Sequence, residues 1–340
     1  MLLSRKLSAR LANVQLAVVG VGVYGSVLAR AAKTAGLADV AACFDVSAER
    51  RERFALEIGC RPMESLDAVL ADDGIDGVLV ATPHSTHPDI VERVASASKH
   101  VFVEKPLALT VVGVRRATRA AEHAGVVLQV GHRRRRQPAN RRIKTMIEAG
   151  QLGTVLQLEA TYTDPGGLSA ALPGWRRDPK ESPAGSMTAL GVHMVDTFHF
   201  LAGRAKRLSA FSKPAVDTSG IDQATTVLIE YESGVIGCIS TSYFAAPVVT
   251  LGAYGTAANA WNEEDGNRLF VQAVGDSVRS ERPVEMLDTV ADELAEFVRC
   301  IQRGSEPETG GVAGLEVAAV LEATVESVRT GRSVDLAPLR

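Results

Sequence analysis

The chain has 340 residues, 46% of them hydrophobic and 23% charged, enough apolar mass for two cores and more than one nucleotide-binding domain needs. Its formal net charge of −3 supplies no electrostatic drive toward nucleic acid or an anionic membrane, so neither is expected as a partner. Cys43, Cys60, Cys238 and Cys300 stand singly, without the C-x-x-C spacing of a metal or redox pair; no metal is expected, and a reduced cytoplasmic protein is the simplest reading.

Residues 4–13 are basic but short, and read as a solvated arm ahead of the first domain; no window approaches the length of a membrane span. An apolar strand at 16–19 then runs into Gly20-Val21-Gly22-Val23-Tyr24-Gly25, a G-x-G-x-x-G turn that opens a helix. Gly20 permits the tight turn, Gly22 lets backbone N–H groups approach a pyrophosphate, and Gly25 lets the helix pack closely on the strand. A second strand, 40–44, ends at Asp45, the distance at which a ribose-binding carboxylate is expected. Strands at 78–81, 101–103 and 126–130 alternate with helical patterns at 48–58, 88–97 and 110–124, which predicts a parallel sheet covered on both faces. Ligands of such a sheet gather at the carboxyl ends of its strands.

After a helix at 139–148 the pattern changes. Strands at 155–162, 207–211, 224–231, 235–242, 249–254 and 268–273 follow with few helices between them, and Tyr231-Glu232-Ser233-Gly234-Val235 is a hairpin signal. The prediction is a mainly antiparallel sheet domain, flat enough for a contact between subunits. Helices at 290–303 and 315–329 close the chain, and the Pro/Gly-rich stretch 164–185 reads as a long functional loop. The boundary is placed between a first domain at 14–133 and a second at 134–340.

Four stretches carry chemistry-bearing side chains. Thr82-Pro83-His84-Ser85-Thr86-His87 follows the fourth strand and starts a helix that Ser85 or Thr86 would cap, forming a wall of the cofactor site. Glu104-Lys105-Pro106 follows the fifth and puts a lysine at the carboxyl edge of the sheet. Arg133-Arg134-Arg135-Arg136 follows the sixth, where Arg134 or Arg135 would suit a substrate carboxylate. Trp175-Arg176 precedes a helix on which Ala189, His193 and Asp196 share one face; His193 is the proton-transfer candidate there.

Taken together, Gly20/Gly22/Gly25, Asp45, Thr82-Pro83 with His87, Glu104-Lys105-Pro106, Trp175-Arg176 and Gly191-x-His193-x-x-Asp196 resemble the glucose–fructose oxidoreductase, inositol dehydrogenase and rhizopine-catabolism family over nearly the whole chain. The resemblance implies a Rossmann domain followed by an open, mainly antiparallel sheet used in dimers or tetramers. It implies NAD as cofactor, with NADP as the second choice. Gly20, Gly22, Val23, Tyr24, Gly25, Asp45, Thr82, Pro83, His84, His87, Glu104 and Lys105 would bind it. Lys105 and His193 would exchange protons while a hydride passes between the nicotinamide and a carbinol carbon of a polyol, sugar or related hydroxy compound. That substrate would lie between the domains, against Lys105, Arg134, Arg135, Trp175, Arg176, His193 and Asp196. In one departure, many members carry an aspartate four residues before the histidine, where this chain has Ala189. Two alternatives stand beside this reading: a dehydrogenase of carboxylated aromatic dihydrodiols or semialdehydes, and a regulator that senses the cofactor without turnover.

Overall fold

A computed structural model describes residues 13–36, 38–168, 174–214 and 220–340; most of the basic arm and part of the 164–185 loop lie outside them. In the first unit six strands pair in parallel in the order β3-β2-β1-β4-β5-β6. They are β1 (Val14–Val19), β2 (Ala38–Phe44), β3 (Arg61–Pro62), β4 (Gly77–Val80), β5 (His100–Val103) and β6 (Leu128–Val130). The near-continuous apolar runs are explained by burial: every residue of β4 and β6 is buried, as in a parallel sheet covered on both faces. The order reverses between β1 and β4, which opens the crevice in which such sheets bind ligands.

The helices of this unit are α1 (Val23–Ala35), α2 (Ala48–Ile58), α3 (Leu66–Leu70), α4 (His87–Ser96) and α5 (Val111–Ala124). Ser47 caps α2 by accepting from the Arg50 N–H at 3.3 Å. Thr86 stands at the N-terminus of α4 as expected, but its side chain makes no cap. Its hydroxyl donates to the Pro83 carbonyl at 2.7 Å and pairs with the Thr82 hydroxyl, so it braces the loop instead of the helix. The short elements β3 and α3 were not legible in the sequence, since two to five residues show no period.

The second unit begins with α6 (Pro138–Glu148) and β7 (Val155–Thr163), then α7 (Val192–Ala202). Strands β8 (Ala205–Lys213), β9 (Ala224–Tyr231), β10 (Ile236–Ser242), β11 (Val248–Gly255), β12 (Ala258–Glu263), β13 (Arg268–Ala273) and β14 (Ser280–Arg282) follow. With β15 (Val334–Asp335) they form a nine-stranded sheet ordered β14-β13-β12-β11-β7-β10-β9-β8-β15. Neighbours are antiparallel except β7 and β10, which run parallel. The hairpin between β9 and β10 closes as read, with the Tyr231 N–H donating to the Val235 carbonyl at 2.9 Å and Gly234 at φ 85. One face is aliphatic and buried, with Leu158, Ala160, Val227, Ile229, Ile239 and Leu251. The other carries Phe211, Leu228 and Ile236 in the open.

The last two helices are α8 (Thr289–Arg303) and α9 (Gly311–Thr330). Helix α9 stays with the second unit, where Ser327 accepts from the Ala210 N–H at 2.9 Å. Helix α8 belongs to the first unit, together with the rest of residues 288–311. Its Val290, Leu294, Phe297 and Val298 join the core of Leu28, Ala32 and Phe102, and Phe297 meets Phe102 edge-on at 5.9 Å. The single boundary expected after residue 133 leaves this helix in the second domain; an amphipathic stripe states that a helix covers a core without stating which one.

Candidate active site

The glycine turn is shaped by close approach. Gly20 sits at φ +87, and a Cβ there would lie 2.6 Å from the Ala81 carbonyl oxygen; a Cβ at Gly25 would strike the Gly20 carbonyl. At Gly22 the same construction meets open space, and no side chain caps the N-terminus of α1. The first-turn N–H groups of α1 are therefore uncovered and carry the helix's partial positive charge. This cradle fits a dinucleotide pyrophosphate. The Val23 side chain is exposed, whereas Tyr24 packs against the core and offers the turn its backbone.

Asp45 is buried at the end of β2. Its Oδ2 accepts from the Val21 N–H at 3.0 Å and its Oδ1 from the Ser47 N–H at 2.9 Å. These bonds aim the carboxylate and leave each oxygen a further lone pair for a ribose hydroxyl. Two arginines follow it with different roles. Arg51 is buried and donates to the Asp45 carbonyl and to Glu64, each at 3.2 Å. Arg50 is half exposed, with Nη2 3.5 Å from Asp45 Oδ1.

Lys105, only 8% exposed, follows β5. Its own N–H donates to Glu104 Oε2 at 3.3 Å, and a Cβ at Gly131 would meet Glu104 Oε1 at 2.8 Å, so the glycine after β6 makes room for that carboxylate. His87 ties two loops together: Nδ1 lies 2.8 Å from the Pro106 carbonyl and Nε2 3.0 Å from the Thr82 carbonyl. Both ring nitrogens are thus turned to backbone oxygens, and His87 braces the Lys105 loop. His84 is also buried, edge-on to His87 at 6.0 Å. Thr82 turns its methyl to Gly20 and its hydroxyl to Thr86.

In the second unit His193 and Asp196 lie on α7, which is entered through a π-helical turn, Met187–Gly191. Such turns recur at functional sites. Gly191 is required there, since a Cβ would collide with the Met187 sulfur. Asp196 is engaged by an arginine of the same unit. It is 1% exposed, and Arg135 grips it with Nε–Oδ2 at 2.8 Å and Nη2–Oδ1 at 2.5 Å. Burial pushes the Asp196 carboxyl up, but Arg135 and then His132, whose Nδ1 is 4.0 Å away, outweigh it and hold it below the usual carboxylate range. Arg134 is likewise engaged: it pairs with Asp265, donates to the Tyr162 hydroxyl at 2.7 Å and stacks on that ring. The structure thus places Arg134, Arg135 and Asp196, the residues expected to contact substrate, in ion pairs within the second unit.

Sequence reasoning missed Tyr162, Ile221, Tyr243 and Phe244. The Tyr162 ring lies 6.2 Å from the His193 ring. Ala189 packs with Leu190, Ile221 and Tyr243, and Tyr162 and Phe244 lean on the same cluster. Arg176 approaches the Tyr243 hydroxyl at 3.5 Å and stacks on Trp175 at 5.0 Å. Burial raises the Tyr243 phenol, with Arg176 pulling the other way. The signal that finds Tyr162 is parity: it follows Leu158 and Ala160 on the buried face of β7. Among the described residues no group of His, Cys, Asp and Glu is arranged to hold a metal, and no helix is long and apolar enough to cross a membrane.

Residues 14–132 match the GFO_IDH_MocA oxidoreductase family with its NAD-binding Rossmann fold, and residues 140–260 match the GFO/IDH/MocA C-terminal domain. The chain is 31% identical to scyllo-inositol 2-dehydrogenase (NAD+) of Bacillus subtilis, over 68% of this chain and 67% of that protein. It is 27% identical to D-apiose dehydrogenase of Paraburkholderia graminis, over 95% of this chain and 90% of the other. Levoglucosan dehydrogenase in complex with NADH superposes with a TM-score of 0.89 at 22% identity, covering 96% of this chain and 99% of that one, a likeness of fold.

Proposed function

Because the chain belongs to the GFO/IDH/MocA family of NAD(P)-dependent oxidoreductases, we propose that it prefers NAD and oxidises a carbinol carbon of a polyol, sugar or related hydroxy compound. Bound NAD supplies the acceptor for the hydride that leaves the carbinol carbon. The residues of the chain handle the rest. Lys105, in its neutral form, takes the hydroxyl proton as the carbonyl forms and returns it in the reverse direction. His193 is the second proton-transfer or orienting group, and Asp45 selects the ribose.

The observation that carries this reading is the company Lys105 keeps. A buried lysine stands at the carboxyl edge of a sheet whose glycine turn is cleared for a dinucleotide, and both Glu104 and His87 brace its loop. The test is NADH absorbance on mixing the protein with NAD and a panel of alditols, inositols and aldoses. Turnover of one of them supports the proposal; tight NAD binding with no turnover across the panel supports a cofactor sensor instead. The aromatic dihydrodiol reading drew on Ala189 and on Arg134 or Arg135 meeting a carboxylate, and both arginines are held by acids of the chain. The sheet face bearing Phe211, 76% exposed, is the surface we assign to a homodimer or homotetramer. All four cysteines are free thiols, in keeping with a cytoplasmic location.

A further inference from the structure

The wall beside His193 is rich in hydrogen-bond donors and poor in acceptors. The Tyr162 hydroxyl accepts from Arg134, and the Tyr243 hydroxyl from Arg176. A guanidinium has no lone pair to offer, so neither phenolic proton can be returned to the arginine that holds it. Among the described residues no other group bonds either hydroxyl. The apolar cluster that both rings join contains Ala189, Leu190 and Ile221, none of which has a side-chain acceptor, and the His193 ring lies 6.2 Å from the Tyr162 ring. Asp164, whose field reaches Tyr243, turns its Oδ1 to the Gly166 N–H at 2.7 Å.

Charge points the same way. Arg134 meets Asp265 and Arg135 meets Asp196, whereas no carboxylate among the described residues pairs with Arg176. Its Nε is out of solvent without a hydrogen-bond partner, and its face is stacked on Trp175. A sequestered guanidinium nitrogen without an acceptor is costly unless a ligand supplies one. One unmatched positive charge balances one negative charge, and its planar fork matches a carboxylate. A phosphate dianion would need a second unmatched cation.

We propose that the substrate is a hydroxy acid, of the aldonate or uronate kind, whose carboxylate is received by Arg176 with the Tyr162 and Tyr243 hydroxyls. This rests on the dehydrogenase reading above and narrows its substrate class. An alditol that ends in a neutral CH2OH can accept from these donors but leaves the guanidinium charge unbalanced.

The test uses three matched pairs that differ only in that group: D-gluconate with D-glucitol, D-galactonate with galactitol, and D-xylonate with xylitol. Binding is read by calorimetry and by Trp fluorescence on the NADH-loaded protein, and turnover by NADH formation from NAD. Within at least one pair the acid is expected to bind about 10- to 100-fold more tightly, the range for a hydrogen bond to a charged group. Arg176→Met abolishes that ratio, Arg176→Lys keeps part of it, and Tyr243→Phe reduces it. NADH binding by each variant certifies its fold. Equal affinity within all three pairs, or a preference that survives Arg176→Met, overturns the proposal. Turnover of neutral polyols without preference for an acid defeats this inference alone, whereas absence of turnover with acids and polyols alike defeats the dehydrogenase reading as well.

Discussion

Replacing Arg135 by methionine removes one half of a buried ion pair and leaves the other half in place. The pair is bidentate at 2.8 and 2.5 Å, with side chains 6% and 1% exposed, so water cannot take over the lost contact. Breaking a pair of this kind costs about 3–5 kcal/mol, because a carboxylate is left desolvated without its cation. At roughly 2–4 °C per kcal/mol for a unit of this size, thermal unfolding should fall by on the order of 10 °C. Joining the change to Asp196→Leu removes both charges, and the double variant should recover most of the loss, since apolar replacement of a whole buried pair is about neutral. Asp196 also sets an acid dependence. Its carboxyl is held below its unfolded value by Arg135 and His132 against the opposing effect of burial. Its contribution is therefore complete above the ordinary aspartate pKa of about 3.9 and is lost as pH falls through the lower folded-state value. Asp196→Asn should be destabilised at neutral pH and should show a shallower decline below about pH 4. Calorimetric melts of the four proteins across pH give every quantity. The reasoning fails if Arg135→Met melts within about 1 kcal/mol of the parent while its KM rises, because that is the behaviour of a substrate-binding arginine.

Asp45→Ala should narrow the preference for NAD over NADP, since the acid that receives the ribose hydroxyls and repels a 2′-phosphate is gone while Arg50 remains 3.5 Å from its place; comparable kcat/KM with both cofactors in the parent would contradict this. Lys105→Met should lower kcat by about 10²–10⁴-fold with NADH affinity nearly intact. Near-parental turnover would return Lys105 to a structural role. His87→Phe removes the ties to both the Thr82 and Pro106 carbonyls. It should cost about 1–3 kcal/mol of stability and depress kcat more than NADH affinity; unchanged kcat in a folded variant would show that the Lys105 loop needs no brace.

The first sheet was legible because its strands are short apolar runs bounded by turns, and because G-x-G-x-x-G carries its own geometric meaning at Gly20 and Gly25. What escaped were elements defined by partners and not by period. Two-residue β3 pairs through Ala42 and Cys43, and α8 shows an apolar stripe whose destination, beside Leu28 and Phe102, is set by tertiary packing. The candidate site divides along the same line. Lys105, His193 and Asp45 are visible as residue types at fixed offsets from strand ends or helix turns. The fate of the arginines is not visible, because it depends on acids far along the chain: Asp196 is 61 positions from Arg135, and Asp265 is 131 from Arg134.

That dependence also explains why the conspicuous cationic run misleads. Four consecutive arginines draw attention by density, yet a charge recognises a ligand only if the fold leaves it unmatched. Arg134 and Arg135 sit within reach of carboxylates on distant segments, Asp265 and Asp196, so their charge is cancelled where it stands. Arg176 precedes Arg177 in sequence, and its guanidinium stacks on Trp175 and approaches the Tyr243 hydroxyl, 67 positions away. Its charge is held by neutral groups, which orient it and do not cancel it. The proposed role of Arg176 toward an anionic substrate thus follows by contrast with Arg134 and Arg135, whose charges are met by acids of the chain. Replacing Asp265 with asparagine while keeping Arg176 would test that logic from the opposite side: Arg134 would become the unmatched cation, and the preference between acid and alditol should change even though Arg176 and Tyr243 are untouched.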